Sequence, residues 1–415
     1  MYPAVCSARQ QNFALCVLSL PAVMENRNYI SGLLLWFCGV GLRLSVLAVP
    51  PVISLIQSDL QLSGTQIGIL TGIPVIMFAI AAAPGSLLIE HVGVRWTLVS
   101  GLVIAALGSG LRAMAPEAYS LYAASVLMSG GIAIMQPAMG AAVRQWMPER
   151  AAFGTALYTN GLIVGEIVPV ALMLPVLLPY FNQSWRLGLL TWSAPLLAVA
   201  LMVLAFGPRT SNHLAGSKSG RLWPDLGSKL NWKIGAILAS VASTYFCTNA
   251  FLPAYLISMG RSADVSTALT ALNLGQFPVS LLMVFLADWF QGKRWPFLLF
   301  GGLMLASVFG VVFSTGWATI TWAGITGMSS SAVLMLGMAL PPLLARNPDD
   351  VARILAAALA ISYSCAMLVS LVSGMAWDIG GQAVFAFVPV AIAATPCLLV
   401  IWTVSLKAAS DDACA

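Results

Sequence analysis

The sequence predicts an all-α integral membrane protein with twelve transmembrane helices in two six-helix bundles, and three observations carry that expectation. Hydrophobic residues make up 60% of the chain and charged residues 8%, with a mean hydropathy of +0.91, which leaves too little polar surface to cover a water-soluble globule. Apolar runs of about 20 residues recur along the whole length, as a helix needs to cross about 30 Å of hydrocarbon. They show none of the short alternating strands of an outer-membrane barrel. One polar, basic interval rich in Ser and Gly, roughly Pro208 to Trp232, divides the runs into two sets of six.

The spans follow in order between charged punctuation. The first covers 30-52 and contains Arg43; the second, 66-89, stops at Glu90; the third, 96-114, begins after Arg95. The fourth, 119-142, ends before Arg144, the fifth, 152-178, starts after Arg150, and the sixth, 187-207, lies between Arg186 and Arg209. In the second set, 234-258 follows Lys233, 266-287 runs up to Asp288, and 296-315 follows Arg294. The last three are 317-344, 353-376 and 381-405, bounded by Arg346, Arg353 and Lys407. Gly and Pro inside these spans are tolerated, because neighbouring helices satisfy the freed backbone groups. The resulting organisation is a bundle at 24-207, a linker at 208-232 and a bundle at 233-407.

Lys and Arg set the orientation, since positive residues near span ends stay on the cytoplasmic side. With both termini inside, fourteen Lys and Arg residues fall in inner segments, against Arg112, Arg186 and Arg261 outside. The net charge of +5 therefore reflects topology and gives no reason to expect nucleic acid. Residues 1-23 fit this plan poorly, because Phe13 to Val23 is too short to span, and translation is expected to start at Met24 with the preceding stretch a non-native or disordered extension. The seven cysteines have no paired spacing, no Gly-rich phosphate loop is present, and His91 and His213 fall in loops. Neither a metal or cofactor site nor an enzyme is expected.

A second sign of duplication lies in the loops after the second and eighth spans. Ser86-Leu-Leu-Ile-Glu90-His-Val-Gly93-Val-Arg95 and Val284-Phe-Leu-Ala-Asp288-Trp-Phe-Gln-Gly292-Lys-Arg294 each place an acid at a helix end, then a Gly turn, then a base. These segments resemble the loop motif of the major facilitator superfamily, Gly-x-Leu-Ala-Asp-Arg-x-Gly-Arg-Arg, with Ser86 and Glu90 as departures. The resemblance implies a transporter of the major facilitator fold in which Glu90, Arg95, Asp288 and Arg294 form a latch between helices in the outward-facing state. Gly41-Leu42-Arg43-Leu44 with Pro50-Pro51, Gly130 to Gln136, Tyr245 with Leu252-Pro253-Ala254, and Leu274-Gly275-Gln276 are similar to the cyanate and nitroimidazole transporter branch. Glu166, and Ala360 where some relatives carry Gln, depart from that branch.

Arg43 and Glu166 are the two charges the span assignment cannot move into loops, and each costs ~2.5–3.5 kcal/mol to insert in a bilayer. At 1.5 Å per residue both lie roughly 20 Å from the cytoplasmic ends of their helices, so the two can pair near the midplane. Arg43 keeps its charge and presents a planar fork to a carboxylate-like or linear anion or to the rim of a polar heterocycle, which makes it the leading substrate ligand. Glu166 can gain and lose a proton in a dry site, and it is the candidate coupling residue for a co-transported proton. Gln136, Tyr158, Tyr245, Asn249 and Gln276 complete the substrate-binding set, with Asn160, Asn273, Ser362 and Tyr363 as further polar groups in the spans. Gly161, Gly165 and Pro169 beside Glu166 suggest a hinge or a close-packing seam between the bundles.

The expected function is secondary transport of a small anionic or polar solute across the cytoplasmic membrane by a monomer, with the lipid bilayer, a small-molecule substrate and a proton as its partners. Export of a neutral aromatic or drug-like compound is the alternative within transport. A non-transporting receptor or scaffold is the alternative outside it.

Overall fold

The computed structural model describes residues 29–404 apart from 81, 209–225, 291, 346 and 347, so the expected extension and most of the linker lie outside the described residues. All regular structure among the described residues is helical. The first half comprises α1 (Tyr29–Leu44), α2 (Ile53–Leu60), α3 (Gly64–Ile80), α4 (Ala82–Ala113), α5 (Ala118–Trp146), α6 (Ala151–Leu172), α7 (Leu178–Tyr180), α8 (Trp185–Thr191) and α9 (Ser193–Phe206). The second comprises α10 (Lys229–Ser258), α11 (Val265–Leu274), α12 (Gln276–Phe290), α13 (Trp295–Phe313), α14 (Trp317–Met338), α15 (Leu340–Leu344), α16 (Pro348–Gly380), α17 (Phe387–Ala394) and α18 (Pro396–Val400).

Among the described residues nine helical stretches are long and apolar enough to cross a membrane, with α1 and α3 as shorter apolar helices. The three other expected spans are divided. The first stops at Leu44, turns through Ser45–Val49 and resumes, because Pro50 and Pro51 have no N–H for the carbonyls of Val46 and Leu47. The second is shared between α3, described to Ile80, and α4, described from Ala82, and the eighth breaks at Gly275 between α11 and α12. α4 is itself two helices, since Gly93 turns the chain with φ 81°, and its counterpart Gly292 has φ 73°. Both glycines thus sit where a side chain would be strained.

Packing within the first half runs mainly through α4 against α5 and α9, and within the second through α13 on α14 and α10 on α14 and α16. Large apolar side chains such as Leu201, Phe313, Ile379 and Leu399 remain exposed on the outside, as a lipid-facing surface requires. α10 is the most enclosed span, and it touches α2 and α3 of the other half.

The halves meet chiefly where α3 packs on α16 and α6 on α11. Gly64, Gly68 and Gly72 place one face of α3 against α16 so closely that a Cβ at Gly68 would run into the Ser370 carbonyl. The Ser370 hydroxyl in turn donates to the Gly68 carbonyl at 2.9 Å. At the start of α3, Asp378 of α16 accepts from the Gly64 N–H at 2.6 Å and the Thr65 N–H at 2.8 Å. A carboxylate there satisfies two orphan donors and complements the positive helix end. We expect Gly68→Leu to lower the melting temperature in detergent by the equivalent of about 1–3 kcal/mol of overpacking. Gly140→Ala, whose Cβ meets nothing within 4 Å, should leave it unchanged or slightly raised.

Candidate functional site

Three glycines bring α1 and α6 together. A Cβ at Gly39 would strike the Tyr158 carbonyl, one at Gly161 the Trp36 carbonyl, and one at Gly165 the Val40 carbonyl. The seam expected between the bundles therefore lies within the first half, because the residues that need close approach face α1. Trp36 pins it further, its indole N–H donating to Asn160 Oδ1 at 2.9 Å.

This approach sets Arg43 Nε 3.3 Å from Glu166 Oε1, with side chains only 13% and 8% exposed. Arg43 lies in the last turn of α1, where the open carbonyls favour a cation. Its guanidinium is held between Phe78 of α3 and Phe246 of α10, at 5.2 and 5.6 Å from the ring centroids. Such cation–π contacts strengthen where water is excluded. Nη1 is buried and finds no hydrogen-bond partner among the described residues, and Nε is out of line for a hydrogen bond to the carboxylate.

Gln276, directly after the break at Gly275, reaches across from the second half and donates from Nε2 to Glu166 Oε2 at 2.7 Å. Gly275 is small because a Cβ there would meet the Gly324 carbonyl of α14. Tyr245 donates its hydroxyl to Asn273 Oδ1 at 2.6 Å. Asn273 donates to Asn249 Oδ1 at 3.0 Å, and Asn249 donates to the Tyr245 carbonyl at 3.0 Å.

Arg43, Glu166, Tyr245 and Gln276 border one cavity of about 490 Å³, part of it continuous with solvent. Ser362 and Tyr363 border it as well. Asn249 stands behind Tyr245, whereas the half-buried Gln136 and Tyr158, on α5 and α6, are outside this lining. Sequence reasoning missed Ser330 and Ser331, although a run of three serines in an apolar span was a visible signal, and it missed the flanking Phe78 and Phe246.

It also missed a third buried charge. Arg112, assigned to an outer loop because it lies beside a span end, is 1% exposed and donates to the Ser45 carbonyl at 2.8 Å and the Ser45 hydroxyl at 2.7 Å. It thereby caps the chain where α1 stops.

Of the four expected latch residues, Glu90 is exposed, and the side chain of Asp288 lies outside the described residues. Arg95 donates to the Val203 carbonyl at 3.3 Å and to that of Leu204, and Arg294 donates to the Val404 carbonyl at 3.1 Å. Each base thus caps the last helix of its own half.

A family model described as Major Facilitator Superfamily matches residues 35–374. The chain is 25% identical to the cyanate transport protein CynX of Escherichia coli (strain K12) over 353 residues, covering 84% of this chain and 90% of that protein. It is also 25% identical to the 2-nitroimidazole transporter of the same organism over 343 residues, covering 82% and 86%. In fold it is similar to the inward-open conformation of the xylose transporter XylE from E. coli, with a TM-score of 0.71, 13% identity, and coverage of 90% and 96%.

The pairing of Arg43 with Glu166 makes a definite energetic prediction. Glu166→Leu, which strands a buried cation, should cost about 3–5 kcal/mol of stability, and the double variant Arg43→Met with Glu166→Leu should recover most of it. Thermal denaturation of the purified proteins in one detergent measures both.

Proposed function

The chain belongs to the Major Facilitator Superfamily, and from that premise we propose that it moves a small anionic or polar solute across the cytoplasmic membrane by alternating access, with Glu166 carrying a proton. It is a multi-pass membrane transporter and not an enzyme. The observation that carries the substrate reading is the unpartnered Nη1 of Arg43, buried at the cavity between the halves. A buried donor without a partner is costly, and an anion supplies the missing acceptor. Two relatives, a cyanate transport protein and a 2-nitroimidazole transporter, carry solutes whose small size and polarity fit such a site.

The mechanism follows from competition for one cation. An anion that binds Arg43 displaces Glu166, and the released carboxylate takes up a proton, so that proton and anion cross together. One proton per monovalent anion cancels the roughly 2.3 kcal/mol per 100 mV that opposes inward movement of a lone negative charge. With both termini inside, the closed contacts of α3 with α16 lie on the outer side and the cavity communicates inward. Glu90, Arg95, Asp288 and Arg294 then latch the inner ends in the opposite state, in which Arg95 and Arg294 leave the helix ends they cap here.

A second reading has its own observation. Phe246, Tyr245 and Tyr363 give the cavity aromatic surface, which suits export of a neutral flat compound with Arg43 as a hydrogen-bond donor. A thermal-shift series with cyanate, nitrate, short carboxylates and 2-nitroimidazole, repeated on Arg43→Ala, separates the two. Stabilisation by anions that disappears in the variant supports the anion reading, while stabilisation by the neutral ring alone favours export. Counterflow in proteoliposomes tests transport itself, because a scaffold exchanges no labelled solute. For coupling, Glu166→Gln should abolish the dependence of uptake on an imposed pH gradient, and unchanged dependence would remove the proton from the mechanism.

A further inference from the structure

We infer that Ser330 of α14 is the second half's ligand for the solute, and that the site therefore prefers a two-ended anion, with a hydroxyl a short distance from its carboxylate, over a plain carboxylate of the same size. The inference rests on the proposed anion reading and specifies the class of solute within it.

Two of the side chains that border the cavity keep a buried polar atom with no hydrogen-bond partner among the described residues, and they stand on opposite halves. One is Arg43 of α1. The other is Ser330, which is 2% exposed. Other polar groups of the lining are engaged, Gln276 with Glu166 and Tyr245 with Asn273. Buried hydroxyls elsewhere also lack partners, Thr244 and Thr248 of α10 among them, but they lie outside this lining.

The preceding serine shows what Ser330 does not do. A hydroxyl inside a helix ordinarily turns back to a carbonyl three or four residues earlier. Ser329 does so, donating to the Ile325 carbonyl at 2.7 Å and standing 3.2 Å from that of Thr326. Ser330 has the Thr326 carbonyl four residues behind it and makes no such bond. Its Oγ is therefore free to turn about a single bond towards the cavity, which Ser330 borders together with Leu334 one helical turn on. A buried hydroxyl without a partner costs about 1–3 kcal/mol, a cost that Ala at this position would avoid. A solute group that bonds Ser330 recovers it on binding. A bare anion answers Arg43 alone, whereas an anion with a second polar end answers both halves at once. Placing a methyl where that end should be leaves the serine unpaired, which is how such a site rejects the analogue.

Matched pairs of acids test this: glycolate against propionate, and 3-hydroxypropionate against butyrate, each pair equal in charge and differing by a hydroxyl for a methyl. The full-length protein in detergent should bind the hydroxy acid of at least one pair about fivefold more tightly by calorimetry. In Ser330→Ala that ratio should fall to near one while Tm stays the same or rises, because an unanswered hydroxyl has been removed. In Ser331→Ala, on the same wall, the ratio should persist. A ratio that survives Ser330→Ala, or that is lost there only together with a lowered Tm, overturns the inference, the second result marking Ser330 as structural. Equal binding within both pairs that is lost in Arg43→Ala overturns this inference and spares the anion reading. Binding of none of the four acids overturns the inference and removes carboxylates from the anion reading as well.

Discussion

The buried ion pair between Arg43 and Glu166 is the constraint on which the arrangement of the first half depends. Removing either partner leaves an unpaired charge away from water, whereas the pair together is roughly neutral in its effect on stability. Satisfying it requires the α1 and α6 backbones to approach far more closely than ordinary side chains allow, and Gly39, Gly161 and Gly165 provide that approach. The pair is also not self-sufficient. Glu166 takes a second partner, Gln276, from the second half, and Arg43 takes Phe246 from α10, so one local charge requirement becomes a tie between halves.

The second tie is of another kind. In lipid there is no hydrophobic drive to hold helices together, and association rests on close packing and polar contacts. The stripe Gly64, Gly68 and Gly72 on α3 supplies the packing against α16, and Asp378 with Ser370 supplies the polar contacts. Because Asp378 binds the backbone N–H groups at the start of α3, its bonds exist only while that helix end is in place beside it.

Much of this was legible in the sequence, and the boundary has a physical basis. A backbone in hydrocarbon must satisfy its own hydrogen bonds, so apolar length alone reveals helices, and a fixed rise per residue was enough to give Arg43 and Glu166 the same depth. The tight turns at Gly93 and Gly292 were visible for the same local reason. What stayed hidden depends on neighbours distant in the chain. Arg112 sits at a span end, where a loop position and a buried cap on α1 read alike until α1 is known to stop at Leu44. Asp378 is an ordinary polar residue near the end of its span until α3 is set beside it. Asn249 and Asn273 were visible as polar groups in apolar spans, but only the packing of α10 on α11 makes them bind each other and Tyr245 instead of opening on the cavity.

The two ties differ in what they ask of a moving protein. Alternating access, as proposed, requires the outer tie to open without unfolding either half, and the contacts it would lose fit that demand. Asp378 and Ser370 make hydrogen bonds whose net worth is of order 1 kcal/mol each, somewhat more where the carboxylate is involved, because water replaces them on separation. The glycines of the stripe carry no side chains of their own, so they add no apolar side-chain surface when the helices part. The central tie is mostly buried, its side chains only 13% and 8% exposed, so little water can take over its charges. A solute that takes over Arg43 while a proton neutralises Glu166 satisfies both groups without water, which is why the proposed mechanism places solute and proton at the same tie and leaves the outer one free of ligand.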